Sequence, residues 1–392
     1  MLGLLPVELI QLVLDKLDAN TDLMACALSC QGLRTLSQQK LWQQISIRSE
    51  VGLHSLLGLL KASPHLGSYI RRLRISTACR WSSKEEHHKD TTDTVPTIDT
   101  LAGYLERIED LSLIAYSYRE VTLPKPISRA CFQHTRIVAL DGVFKTVDDF
   151  LAVLASFPHA SFLTLFRVRI TNFLWENMFR VAASPWLPPL YHLDVTASTI
   201  VPWTRFLYRW LAAEQVLHLR RLLVHHTSEG DWKYLGELIQ RLSELQHLSL
   251  AAPLNPTRRP LVELISLDKC ISLASLELKI TIDYPQDPLL ANWPTDLLAT
   301  VNAPSLVRID LTIPYQGKLN YSQVLLWNVL DELLSDTTRF PSLRDVVIAP
   351  QTAVEADEHP DIVEAQPALL PRTFEKGLLR TLPDNSMYNV MF

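Results

Sequence analysis

LQHLSL, residues 245–250, places apolar residues at Leu245, Leu248 and Leu250. The first two are three apart, and the last two alternate about a polar residue, as in a strand with one buried face. The same apolar-x-x-apolar-x-apolar phrase recurs along the chain. It reads Ile70-Leu73-Ile75, Ile108-Leu111-Leu113, Leu190-Leu193-Val195, Leu219-Leu222-Val224, Leu273-Leu276-Leu278, Leu306-Ile309-Leu311 and Leu343-Val346-Ile348. Val138-Leu140 and Leu163-Leu165 are weaker copies whose first apolar position is degenerate. The middle positions recur on average about every 30 residues. Segments with helical spacing lie between them, at 97–108, 146–157, 204–215, 231–242 and 321–334. A strand and a return helix in each unit give parallel strands with right-handed crossovers. Each unit buries its apolar face only against its neighbours, so the units must stack as a solenoid. An α/β sandwich would also alternate strands with helices, but it does not require one phrase to recur.

Residues 1–47 break this pattern and read as three helices. The first lies in LLPVELIQLVLDKL, with Pro6 suited to a first turn and Glu8 to the positive end of the helix dipole. Asn20 or Thr21 is the expected cap of the second helix, and Gly32 the expected break before the third. In the first helix Leu9, Ile10, Leu12, Val13, Leu14 and Leu17 occupy more than one stripe. One stripe can pack on the sister helices, and the remainder calls for a partner.

The run Leu5-Pro6, Glu8-Leu9, Val13-Leu14, Leu17, Leu23, Leu28, Cys30, Leu36 and Leu41-Trp42 resembles an F-box. Two departures are Leu33, where many members carry Trp, and Gln31-Gly32, where a basic pair often follows the Cys. The resemblance implies a Skp-type adaptor bound through Leu5, Pro6, Leu9, Ile10, Val13, Leu14, Leu17 and Leu23, and through it a cullin-based ubiquitin ligase. The period of the remaining chain is close to that of leucine-rich repeats. The Asn that usually turns such repeats is mostly missing, so the whole resembles a fungal-type F-box protein with divergent leucine-rich repeats.

The expected architecture is therefore α/β. A three-helix F-box-like module at 1–47 precedes a leucine-rich-repeat-like solenoid with a curved parallel sheet at 48–350, then an acidic linker and tail at 351–392. The helix around Leu53–Leu60 is expected to dock the module on the first repeat. The segment 80–97 reads as a polar surface loop, and 374–382 as a final amphipathic turn that caps the last repeat or folds back.

Net charge is −5, and no long basic run exists, which argues against a nucleic-acid partner. No run of about 18 apolar residues argues for a membrane span. Five scattered cysteines suit a reducing compartment, and the expected residence is cytoplasmic or nuclear. There is no Gly-rich phosphate loop, GxSxG or HExxH, so no enzyme activity and no cofactor are expected. His87-His88 beside Glu85, Glu86 and Asp90, and His225-His226, are read as surface or structural groups. Trp175, Trp186, Trp203, Trp210, Trp232, Trp293 and Trp327 are read as core.

The residues flanking each core pair should line the concave sheet face. The candidates for holding an unidentified target protein are Arg72, Arg74, Thr164, Phe166, His192, Asp194, Arg221, His225, His247, Glu277 and Arg308. Their mixed charge suits a protein partner. The alternative is an interaction scaffold of the same architecture that joins no ligase.

Overall fold

The computed structural model describes residues 6–17, 19–77, 100–101, 103–115, 132–173, 189–196, 203–213, 218–225, 229–253, 261–281, 292–314, 325–351 and 367–380. The expected loop at 80–97 with its His87-His88 pair, the acidic stretch after Gln351, and Leu5, His226, Trp175 and Trp186 lie outside these. So do parts of the helical segments expected at 97–108 and 321–334. The described residues divide into two compact units, one running to Phe173 and including Pro189, the other running from Leu190 onward.

The first unit opens with helices α1 (Val7–Leu14), α2 (Asn20–Ser29) and α3 (Gln31–Gln43). Pro6 is the N-cap of α1. The expected cap of α2 is corrected: Ala19 precedes the helix and neither Asn20 nor Thr21 stands at that position. Gly32 is no break either. It lies inside α3, and the extended backbone of Cys30 separates α2 from α3. Strand β1 (Gln44–Ile47) follows α3 directly, then α4 (Glu50–Ala62), whose N-cap Ser49 accepts from Gly52 N at 3.1 Å. A 3₁₀ turn over Pro64–Tyr69 leads to β2 (Arg72–Thr77). Gly67 sits so close to the chain at Tyr104 that a Cβ would lie 2.0 Å from the Tyr104 carbonyl oxygen. Strands β3 (Asp110–Ala115), β4 (Ile137–Phe144) and β5 (Phe162–Ile170) complete this unit, with α5 (Val147–Leu154) between the last two. A capping box starts α5: Thr146 Oγ1 accepts from Asp149 N, and the Asp149 carboxylate accepts from Thr146 N.

All five strands are parallel and neighbours in sequence order. Ile45, Leu73, Leu111, Val138 and Leu163 occupy one register position. The repeat therefore begins earlier than the sequence reading placed it. Trp42-Ile45-Ile47 is itself a copy of the phrase, and the last residues of the helical module form the sheet's edge strand.

The second unit has the same logic. Its strands are β6 (His192–Thr196), β7 (Arg221–His225), β8 (His247–Pro253), β9 (Ser275–Thr281), β10 (Arg308–Pro314), β11 (Asp345–Gln351) and β12 (Leu379–Arg380). They too are parallel and in sequence order. Leu193, Leu222, Leu248, Leu276, Ile309, Val346 and Leu379 share one register position. Helices α6 (Trp203–Ala213), α7 (Glu229–Ile239), α8 (Trp293–Leu298) and α9 (Trp327–Leu334) lie between strands. Trp203, Trp210, Trp232, Trp293 and Trp327 are buried. Gly236 of α7 lets the next turn approach: a Cβ there would stand 1.9 Å from the Leu264 carbonyl oxygen. Parallel strands with return helices make an α/β, solenoid-like arrangement in each unit, and the N-terminal helices precede them in the first.

The segment expected as a tail instead extends the second unit. Helix α10 (Pro371–Glu375) is pinned by Asp331 of α9, whose buried carboxylate accepts from Arg372 N at 3.0 Å, Thr373 N at 2.8 Å and Thr373 Oγ1 at 2.7 Å. Gly377, at φ +67°, turns the chain into β12. Of the two alternatives for 374–382, capping holds for the described part.

Candidate functional site

Two surfaces stand out, one on the helices and one on the sheet. On α1 and the turn after it, Ile10, Leu14 and Leu17 fall at i, i+4 and i+7, while Leu9, Leu12 and Val13 of α1 fall at i, i+3 and i+4. The first set turns inward. Leu14 is 3% exposed, and Ile10 and Leu17 are half-buried. The second turns outward, with Leu9 47% and Val13 63% exposed and Leu12 equally open. Val7 of the same helix, and Met24 and Leu28 of α2, add to the exposed apolar surface. Lys40 Nζ on α3 lies 2.7 Å from Asp15 Oδ1 and ties the end of α1 down.

The expected adaptor contacts therefore separate. Leu9 and Val13 are outward and Pro6 is exposed. Leu14 and Leu23 are each 3% exposed and close the interior of the helices. Leu12, Met24 and Leu28, which were not among those candidates, are exposed. Their signal was present in the helical spacing, because Leu12 shares a face with Leu9 and not with Leu14.

On the sheet, every candidate target-binding residue lies on the face opposite the core, at alternating positions from the buried register residues. In the second unit they fall in rows across the strands. His192, Arg221, His247, Ser275, Arg308 and Asp345 share one register position. Asp194, Leu223, Ser249, Glu277 and Asp310 share the next, and Thr196, His225, Ala251, Lys279 and Thr312 the third. A carboxylate-bearing row thus runs between two rows that carry the cations.

Most of these charges are matched locally. Arg308 Nε donates to Asp310 Oδ2 at 2.8 Å, Lys279 Nζ lies 3.0 Å from Glu277 Oε1, and Arg380 Nε lies 3.0 Å from Asp345 Oδ1. Asp194 makes no ion pair with a described residue, and its carboxyl is pushed up to about 6, chiefly by burial. His192 is pushed down to about 4 by burial, then by the Arg221 cation and by His247. His247 moves the same way, through burial and Arg221. Two imidazoles neutral at pH 7 therefore flank one guanidinium.

In the first unit, Arg72 and Arg74 point outward on β2, and Thr164 and Phe166 on β5. Sequence reasoning missed Ile137 and Phe162, which face each other across β4 and β5 and are 40% and 42% exposed. It also missed the bulge beside them. Between Phe166 and Arg169, β5 spends one residue more than β4 does between Asp141 and Val143. The extra step coincides with Arg167 at φ 41°, and the Arg167 guanidinium bonds the buried Asp141 carboxylate.

Among the described residues, no group of His, Cys, Asp or Glu is placed to hold a metal. No described helix is long and apolar enough to cross a membrane. Cys270 is buried, and burial with nearby Asp268 pushes its thiol up to about 12, which leaves it unreactive near neutrality.

Residues 2–48 match the F-box-like family, a span that takes in α1, α2, α3 and β1. An F-box-like domain thus forms the start of the chain. No curated protein matches the sequence.

Proposed function

We propose that this chain is the substrate-recognition subunit of a Skp–cullin–F-box ubiquitin ligase. The F-box-like domain binds a Skp-type adaptor, and the leucine-rich-repeat-like strands hold the target protein. The observation that carries the reading is the outward stripe of α1. Leu9, Leu12 and Val13, with Met24 and Leu28, leave apolar area in water within the segment that matches the F-box-like family. Soluble proteins rarely keep such patches without a partner. Mechanism is positioning. Tethering raises the effective concentration of a bound target near the conjugating enzyme, and no residue of this chain breaks a bond.

Co-expression with a Skp-type adaptor and a cullin tests this. A complex of all three that transfers ubiquitin to a captured target supports the reading. A stable adaptor complex that recruits no cullin favours the second reading, an interaction scaffold of the same architecture. No adaptor complex at all from well-folded chain sinks the ligase reading.

A further inference from the structure

The open face of the first unit has relief that its register defines. Ser112, Ala139 and Thr164 are small residues at one register position on β3, β4 and β5. Ile137 and Phe162 rise on one side of them, and Ile114 and Phe166 on the other. The result is a shallow trough crossing the strands, apolar-walled toward β5. Asp141 also lies on the second wall, but Arg167 neutralises it.

The β2 end of the trough is different in kind. Arg74 holds the position in register with Ser112 and is exposed, and Arg72 is exposed one row away. Neither makes an ion pair with a described residue. Asp110, opposite Arg72, is half-buried, and the two interact only through space. The chain as a whole is acidic, at −5, so this local cationic end runs against its average. An anionic group is its electrostatic complement.

We propose that this trough binds an extended, acidic segment of the target protein. A carboxylate of that segment seats on Arg74 and Arg72, and an apolar side chain seats between Phe162 and Phe166. Three strand spacings separate β2 from β5, about 14 Å. An extended chain covers that distance in roughly four residues. The partner motif is therefore an Asp or Glu about four residues from a large apolar residue. This deepens the target-binding half of the proposed function and rests on it.

Panning a phage-displayed random peptide library on the full-length chain tests the trough. Enriched peptides should pair an acidic with a large apolar residue three to five positions apart. Fluorescence anisotropy of such a peptide should weaken about tenfold in Arg74→Glu and in Phe162→Ser. Lys269→Glu, at an exposed position of the second unit outside both surfaces, should leave it unchanged. Arg74→Gln, which removes the charge without reversing it, serves if the Glu variant misfolds, and rising salt should weaken wild-type binding. Enrichment without the pairing, or equal affinity in wild type, Arg74→Glu and Phe162→Ser, overturns the proposal. So does a dimer of the chain that Phe162→Ser dissolves, since a second copy would then be the occupant. Adaptor capture is read on the same samples. If it fails while peptide binding persists, the ligase reading falls and the trough stands; the reverse removes the trough alone.

Discussion

Helix α1 and helix α6 are both rich in apolar residues, yet they use them in opposite ways. Of the eight residues of α1, Leu14 alone is buried, while Val7, Leu9, Leu12 and Val13 are exposed. Of the eleven residues of α6, Trp203, Thr204, Phe206, Leu207, Tyr208, Trp210, Leu211 and Ala212 are all buried. Composition does not separate the two. Helix α6 lies in a stack, with α7 packed beside it. Helix α1 stands at the start of its unit and meets α3 on one side only. Apolar area with a neighbour becomes core, and apolar area without one remains available for a partner.

The comparison breaks first on stability. Trp210→Ala should cost about 3–5 kcal/mol, because a fully buried indole leaves a cavity. Val13→Ala on α1 should fall within about 0.5 kcal/mol of wild type. Urea unfolding of both variants checks this, and similar losses would mean that the outward stripe of α1 is already packed.

A sharper form asks how the end of the second unit is held. Asp331→Ala should cost about 1–3 kcal/mol, since it strands buried donors at Thr373. Amide exchange should then speed up selectively over 371–380, whereas a uniform increase would show a whole-unit effect. Smaller still, Thr146→Ala removes the cap of α5 and should cost about 1 kcal/mol, read in the same urea titration.

The smallest effect concerns pH. His192 is depressed to about 4, so the stability tied to its neutral form is present above its unfolded value and falls away as pH drops from about 6.5 towards 4. Asp194 is raised to about 6, so its contribution runs the other way: it is present below about 3.9 and declines as pH climbs through 6. Between pH 4 and 6 the two oppose each other. Asp194→Asn should therefore steepen the acid loss of melting temperature, and His192→Gln should flatten or reverse it. Identical profiles for both variants and wild type would show that both groups are fully solvated.

The phrase in the sequence located ten of the strands, and their register confirms that its middle positions align within each unit. Two strands escaped it for different reasons. In β1 the phrase is intact as Trp42-Ile45-Ile47, but the helical pattern of the preceding residues claimed the same segment. In β12 the position three before Leu379 is Lys376, so the first apolar residue is missing and only pairing with β11 reveals the strand. Helix capping misled locally, because Ala19 and Cys30 reach extended backbone without a capping side chain. The outward surfaces were partly legible. Alternation placed the charged rows, but the trough depends on which small residues share a register across β3, β4 and β5. A one-residue bulge at Arg167 is invisible to alternation.

The most direct test of the central claim is the affinity of purified chain for a Skp-type adaptor, wild type against Leu9→Asp, with melting temperature measured on both. Leu9 is outward and supports no core, so the variant should melt within a few degrees of wild type and lose adaptor binding by at least about tenfold. Equal affinity in two equally folded proteins would contradict the account and make the exposed stripe of α1 a surface for something else.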